Sequence, residues 1–309
     1  MDNYILHHYP PSPVAEKIRK AFGIKGLSWC AVEENRLPPR RELFAMTGGY
    51  RRIPVLQIGA DLYCDTQCIL REIEACSPSP SLFPKGFEGL PFGLSRWTDD
   101  ELFTHSFKAV LAPAYNDLPS EFVADRARLY LGADNDMAKE AADMPHTLAQ
   151  LRAQIGWVDD GLKEGRAYIL GDDPSMADIL VWYLVWFLRE RYRDQAAFFE
   201  EFDALNEWAV RMDALGYGEQ KSLSPEEALK IAKEAEPLAP SFEDERDPQG
   251  LKVVMRVTIE PLTESGETPI AGTLHAVGRD VVALSMESDE CGATLVHFPR
   301  VGYRVTPAQ

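Results

Sequence analysis

The chain lacks a long hydrophobic run. Its most apolar helix-like window, Met176 to Leu188, is too short to cross a bilayer and is interrupted by Asp178. Basic charge is scarce: 32 Lys and Arg stand against 49 Asp and Glu, a net charge of −17. A shortage of cations disfavours long nucleic-acid contacts, which rest on phosphate neutralisation. Cysteine is sparse, with five residues, four of them in the first 76. Cys64 and Cys68 lie one helical turn apart, form no Cys-x-x-Cys and are joined by no His pair, so no metal site is expected. An odd cysteine count fits a reducing cytoplasm better than a disulfide scaffold, and a cytoplasmic location is expected. Met1 to Asn3 carry neither a basic n-region nor an apolar h-region, so no secretory leader is read. Nucleophile elbow, phosphate loop and dinucleotide fingerprint are all missing, which argues against the enzyme classes they serve.

What is present is ordinary in bulk, with 45% hydrophobic and 26% charged residues, enough to bury a core without disulfides. The length predicts about two domains and allows three. The acidity is concentrated. Ala197 to Gly250 hold 14 acidic and 5 basic residues, the pattern of a solvated face and linker.

Tyr4 to His7 reads as a strand, and Val14 to Phe22 as a helix with Ser12 as its N-cap and Pro13 at its first position. Strands at 27–32, 54–58 and 62–63 and helices at 40–46 and 65–76 follow, with a turn at Gly59-Ala60-Asp61. This β-α-β-α-β-β-α order in fewer than 80 residues is thioredoxin-like. Ser77 to Leu94, with four prolines and three glycines, reads as a linker. Helical windows then run at 97–111, 120–131, 145–164, 176–188, 195–215 and 225–235, an all-α set. Past the Pro/Gly-punctuated, charged stretch 236–250 the period switches to two. Strands are expected at 253–259, 270–277, 280–286, 293–298 and 302–305, a small antiparallel sheet or barrel. The expected fold is therefore α+β multidomain: a thioredoxin-like domain over 1–80, an all-α domain over 95–236, and a small antiparallel β domain of unknown role over 251–309.

Ile53-Pro54-Val55-Leu56 contains a contradiction, because a proline inside a β-branched run removes a ladder hydrogen bond. The run, with Asp65-Thr66-Gln67-Cys68-Ile69 after it, resembles the thioredoxin-like half of glutathione S-transferases. His8-Tyr9-Pro10-Pro11-Ser12-Pro13-Val14 is similar to the first-helix start of the serine-using, tau-like members. The resemblance implies a cis Pro54 shaping the backbone of Ile53, which pairs with the cysteinyl part of glutathione. It implies that Asp65 and Thr66 hold the γ-glutamyl carboxylate at a helix start, and that Arg52, ahead of Arg51, Arg40 and Arg41, meets the glycine carboxylate. Ser12 would donate a hydrogen bond to the sulfur, with Tyr9 as the alternative hydroxyl. A hydroxyl donor at the positive end of a helix favours the thiolate, the reactive form. Ser12 also reads as a plain helix cap, and both roles are compatible. No cysteine occupies the Ser12 position, which disfavours the glutaredoxin-like branch. His7 reads as core filling and His8 as a rim residue.

Tyr168 to Asp178 resembles the capping-box helix of the family's C-terminal domain, with Ser175 and Asp178 as a structural pair. The resemblance covers roughly residues 3 to 220. It implies an electrophile pocket beside the Tyr9-Pro10 loop, for which Trp97, Phe103 and Phe107 are candidates, although aromatics at this spacing also suit a core. The leading expectation is a glutathione transferase: glutathione as cosubstrate, a hydrophobic small-molecule electrophile, a homodimer, no nucleic-acid or membrane partner. The alternatives are a non-catalytic transferase-fold adaptor that binds a protein through residues 251–309, and a glutathione-dependent isomerase or lyase.

Overall fold

In a computed structural model of the chain, residues 4–163, 165–263 and 265–308 are described. Residues 1–3, 164, 264 and 309 lie outside the described residues. With them go the residues read for a leader, the last position of the 145–164 window and the first of the turn at 264–266. Two compact units form. One holds residues 1–18, 27–76 and 219–309, the other 19–26 and 77–218.

The first unit begins as expected, with β1 (Tyr4–His8), α1 (Pro13–Lys25), β2 (Ser28–Glu33), α2 (Arg41–Thr47), β3 (Val55–Ile58), β4 (Asp61–Cys64) and α3 (Thr66–Cys76). β2 runs parallel to β1, while β3 is antiparallel to both β1 and β4. Ser12 starts α1, its Oγ accepting the Ala15 N–H at 3.2 Å. Gly48 ends α2 at φ 69°, a left-handed cap that glycine reaches without a Cβ penalty.

In the second unit lie α4 (Leu90–Thr98), α5 (Glu101–Leu111), α6 (Ser120–Leu131), α7 (Met137–Ala142), α8 (Met144–Leu162), α9 (Met176–Arg191), α10 (Gln195–Phe199) and α11 (Asp203–Ala214). Two sequence expectations change here. The linker ends earlier than Leu94, because Pro91 sits in the first turn of α4, where its missing N–H costs nothing. The 195–215 window splits at Phe202, whose φ of −105° and ψ of 69° are not helical. Asp159 of α8 accepts the Leu205 N–H at 2.9 Å and so satisfies the new helix start. Asp178 accepts from Ser175 N and, through its other oxygen, from Ile169 N and Trp208 Nε1, each at 2.9 Å. Burial pushes the Asp178 carboxyl up, against the pull of those hydrogen bonds.

The chain then returns to the first unit with β5 (Glu219–Leu223), α12 (Pro225–Glu234) and β6 (Phe242–Glu243). β5 pairs in parallel with β2. Its text, Glu-Gln-Lys-Ser-Leu, carries no strand pattern and is mostly exposed. Ser224 and Glu227 form a capping box at the start of α12. Both elements fall within the span 95–236 that the sequence assigned to the helical domain. β7 (Arg256–Pro261), β8 (Ile270–Val277), β9 (Val281–Ser288), β10 (Gly292–Pro299) and β11 (Tyr303–Pro307) complete the chain.

The last five strands are antiparallel among themselves, but they do not stand alone. β10 pairs in parallel with β4, at Leu295↔Asp61, Val296↔Leu62 and His297↔Tyr63. Among the described residues one sheet results, in the order β11-β7-β8-β9-β10-β4-β3-β1-β2-β5, with β6 on β8. One core unites the two halves: Leu43, Met46, Val55, Leu62 and Cys64 with Leu274, Leu284, Val296, Phe298 and Val305. The reason is size. A segment of about 60 residues buries a smaller share of its surface than a larger domain and is only marginally stable alone, so sharing a core with the first strands adds burial.

Candidate functional site

One cross-strand row brings the expected site residues together. His7 on β1 lies opposite Val55 on β3, and Val55 lies opposite Cys64 on β4. Tyr9 and Ser12 follow His7, Ile53 and Pro54 precede Val55, and Asp65 and Thr66 follow Cys64. All six therefore sit at one end of the sheet.

The Ile53-Pro54 bond is cis. Pro54 is buried, while Ile53 is half-buried and packs on the shared core. Ser12 is 3% exposed and Tyr9 is 9% exposed. The Tyr9 carbonyl accepts the Ser12 N–H at 3.0 Å, which fixes the approach to α1. The Ser12 hydroxyl thus lies where the partial positive charge of α1 is concentrated. Asp65 has φ 70°, tolerated because its side chain bonds locally: Oδ1 accepts the Gln67 N–H at 2.9 Å. Thr66 opens α3 and is buried. Its Oγ1 accepts from Lys17 Nζ at 3.5 Å, and Lys17 is itself 2% exposed. Burial pushes the Cys64 and Cys68 thiols up, away from the reactive thiolate.

The cationic end is arranged differently from the expectation. Arg52 Nε donates to Glu267 Oε1 at 3.0 Å and Oε2 at 2.9 Å, and Nη2 donates to Glu267 and, at 2.7 Å, to Thr263 Oγ1. Burial pushes the Arg52 guanidinium down, but the Glu267 carboxylate outweighs it and holds the group above the usual arginine value. Arg40 is buried and donates to the carbonyls of Asn35, Arg36 and Arg51. Arg41 lies 3.6 Å from Glu290. Tyr303 donates to Asp65 Oδ2 at 3.4 Å and lies 2.8 Å from the Tyr50 hydroxyl.

His7 is core, its ring held between Glu34 at 2.9 Å and Gln57 at 3.0 Å. His8, expected at the rim, is buried instead, its ring edge-on to Trp29. Phe103 and Phe107 are buried against each other and Tyr130, a core arrangement. Trp97 donates to Gln154 at 2.7 Å. Among the described residues no His, Cys, Asp and Glu cluster could hold a metal, and no helix is long and apolar enough to cross a membrane.

Comparison with known proteins matches residues 6–81 to the glutathione S-transferase N-terminal domain and residues 136–211 to the C-terminal domain. A GST-like protein from Pseudomonas syringae is 32% identical over 100% of both chains, with a TM-score of 0.82. The chain belongs to the glutathione S-transferase family. The Pseudomonas match spans the whole length and so includes the C-terminal β segment. A tau-class glutathione S-transferase from mango, Mangifera indica, is 18% identical over 69% of this chain and 89% of its own, with a TM-score of 0.53. A glutathione S-transferase from Methylobacterium radiotolerans, in complex with glutathione sulfonate, is 18% identical over 72% and 97%, with a TM-score of 0.51. These two share the transferase fold. No curated protein sequence matches.

Four residues in contact with this cluster escaped the sequence reading: Lys17, Tyr50, Glu267 and Tyr303. Lys17 had a faint signal, a cation between the buried Ala15 and Ile18 of α1. Glu267 and Tyr303 had none, since more than 200 residues separate them from their partners.

Proposed function

We propose that this protein is a glutathione transferase that binds reduced glutathione at the sheet end formed by Tyr9, Ser12, Ile53, Pro54, Asp65 and Thr66. The observation that carries the reading is the row His7–Val55–Cys64, which gathers two helix starts and the Ile53 backbone at one end of the sheet. In this reading Ile53 offers main-chain groups to the cysteinyl residue. The N-terminal N–H groups of α3, the Thr66 hydroxyl and the buried Lys17 ammonium suit the γ-glutamyl carboxylate. Asp65 adds an acceptor for the neighbouring amino group.

Ser12 then acts on sulfur. Its oxygen accepts from Ala15 N while its O–H donates to the thiolate, so capping and catalysis use opposite capacities of one hydroxyl. The thiolate, stabilised by that donor and the helix dipole, attacks an electrophilic carbon of an apolar substrate: the S–C bond forms and the leaving group departs with its electron pair. Orientation and thiolate stabilisation supply most of the barrier reduction. An isomerase or lyase would share this cradle and differ in the electrophile it accepts. The adaptor alternative relied on residues 251–309 as a partner-binding module, whereas much of the apolar surface of that segment is consumed in the chain's own core.

Calorimetric titration with reduced glutathione tests the reading. Saturable binding to the wild type, lost in Thr66→Ala, is expected. No binding by the wild type would overturn it and favour the adaptor.

A further inference from the structure

The C-terminal β segment contributes an acid to Arg52, the residue that precedes Ile53 of this cradle. Glu267 meets Arg52 through both carboxylate oxygens, and its side chain is 5% exposed against 27% for that of Arg52. It is not a loose surface acid. Ser265 donates its hydroxyl to Glu267, and the Ser265 N–H is tied to the Thr263 carbonyl at 2.8 Å. Thr263 and Ser265 both accept from Arg52 Nη2. Thr263, Ser265 and Glu267 therefore supply acceptors to Nε and Nη2 of the guanidinium. Drawing Arg52 away would leave a buried carboxylate without its counter-charge, which is costly. Two neighbouring arginines do not replace it, since Arg40 is committed to three carbonyls and Arg41 faces Glu290 of the same segment.

We propose that Glu267 sets the ligand preference of the cradle: it occupies the guanidinium that a free C-terminal carboxylate would otherwise pair with, so the site accepts γ-glutamylcysteinyl thiols that are esterified, amidated or extended at that end as readily as glutathione. This rests on the glutathione cradle proposed above, with Arg52 at its glycine end as the family resemblance implies. Glu267 is a specificity-determining residue contributed by the segment that the sequence left without a role. The class of ligand it admits is a peptide thiol with a neutral or elongated C-terminal end.

The test is calorimetric titration of the full chain with reduced glutathione and with its glycine monoethyl ester, which lacks the free glycine carboxylate. Wild type is expected to bind the two with dissociation constants within about threefold, well short of the tenfold or more that a lost charge-assisted pair brings. In Glu267→Gln and in Glu267→Ala, glutathione is expected to tighten while the ester stays put, opening the ratio to about tenfold. Two variants are used so that misfolding of one, read from its thermal melt, leaves the other informative. A tenfold wild-type preference for glutathione over the ester, with binding of both lost in Thr66→Ala, overturns this proposal and leaves the cradle standing. A ratio unchanged in both folded Glu267 variants overturns it equally. Binding of neither thiol by the wild type overturns the cradle and the proposal together.

Discussion

Residues 4–76 and residues 251–308 share one sheet, yet they were assembled by different rules. In the first region strands alternate with helices, and the short-range pattern marks each of them. In the second, strands follow one another by short turns, and their apolar side chains need a foreign surface. They find it on β4 and α2, where Leu62, Cys64, Leu43 and Met46 complete a core with Leu284, Val296 and Phe298. A local pattern can therefore specify a strand correctly and say nothing about its neighbour.

The two regions can be separated by experiment. Truncation after Gly250 should have the largest effect. It strips about two thirds of the shared core and uncovers the edge of β4, and loss of the cooperative melt by circular dichroism is expected. A truncated chain that melts like the whole would make the regions independent. Phe298→Ala keeps the strands and removes one ring packed on Tyr50 and Tyr303. A loss of about 3–5 kcal/mol in denaturant unfolding is expected, as for other buried aromatic truncations.

Ser12→Ala touches the first region alone. Turnover with an electrophilic substrate is expected to fall on the order of a hundredfold, the cost of removing one oxyanion-type donor. Binding of glutathione should survive, and unchanged turnover would remove Ser12 from the mechanism. Asp61→Ala acts on the seam, where Asp61 meets His297 Nε2 at 2.9 Å and accepts the Leu238 N–H at 2.7 Å. About 2 kcal/mol of unfolding free energy should be lost, the range for buried hydrogen bonds to a charged group. Ser224→Ala removes the cap of α12 and is expected to cost about 1 kcal/mol. The glutathione titration should barely notice it.

Much of the first region was legible because its signals are short-range. Ser12-Pro13 marks a helix start by hydrogen-bonding within three residues, and Pro54 betrays itself directly before the apolar run of β3. Ser175 and Asp178 meet across three residues and were read correctly as a structural pair. Other features left no local trace. β5 is a strand because β2 offers a parallel edge, not because Glu219 to Leu223 prefer one. The 195–215 window looks continuous, since Asp159, which caps its second half, lies on another helix. Arg52 was read as a free cation for a ligand, and its engagement by Glu267 depends on a loop distant in the chain.

The amino-acid sequence by itself determined the family, the thioredoxin-like order of the first 76 residues, the helical run that follows and the β character of the last segment. Turn residues, caps and hydrophobic periodicity act over a few positions, and they are written in the chain. Tertiary structure alone decided that the last strands extend the first sheet and that Glu267 and Tyr303 reach Arg52 and Asp65. Such pairings depend on which surfaces are left to bury and on charges that meet only after folding, and no short-range signal encodes them.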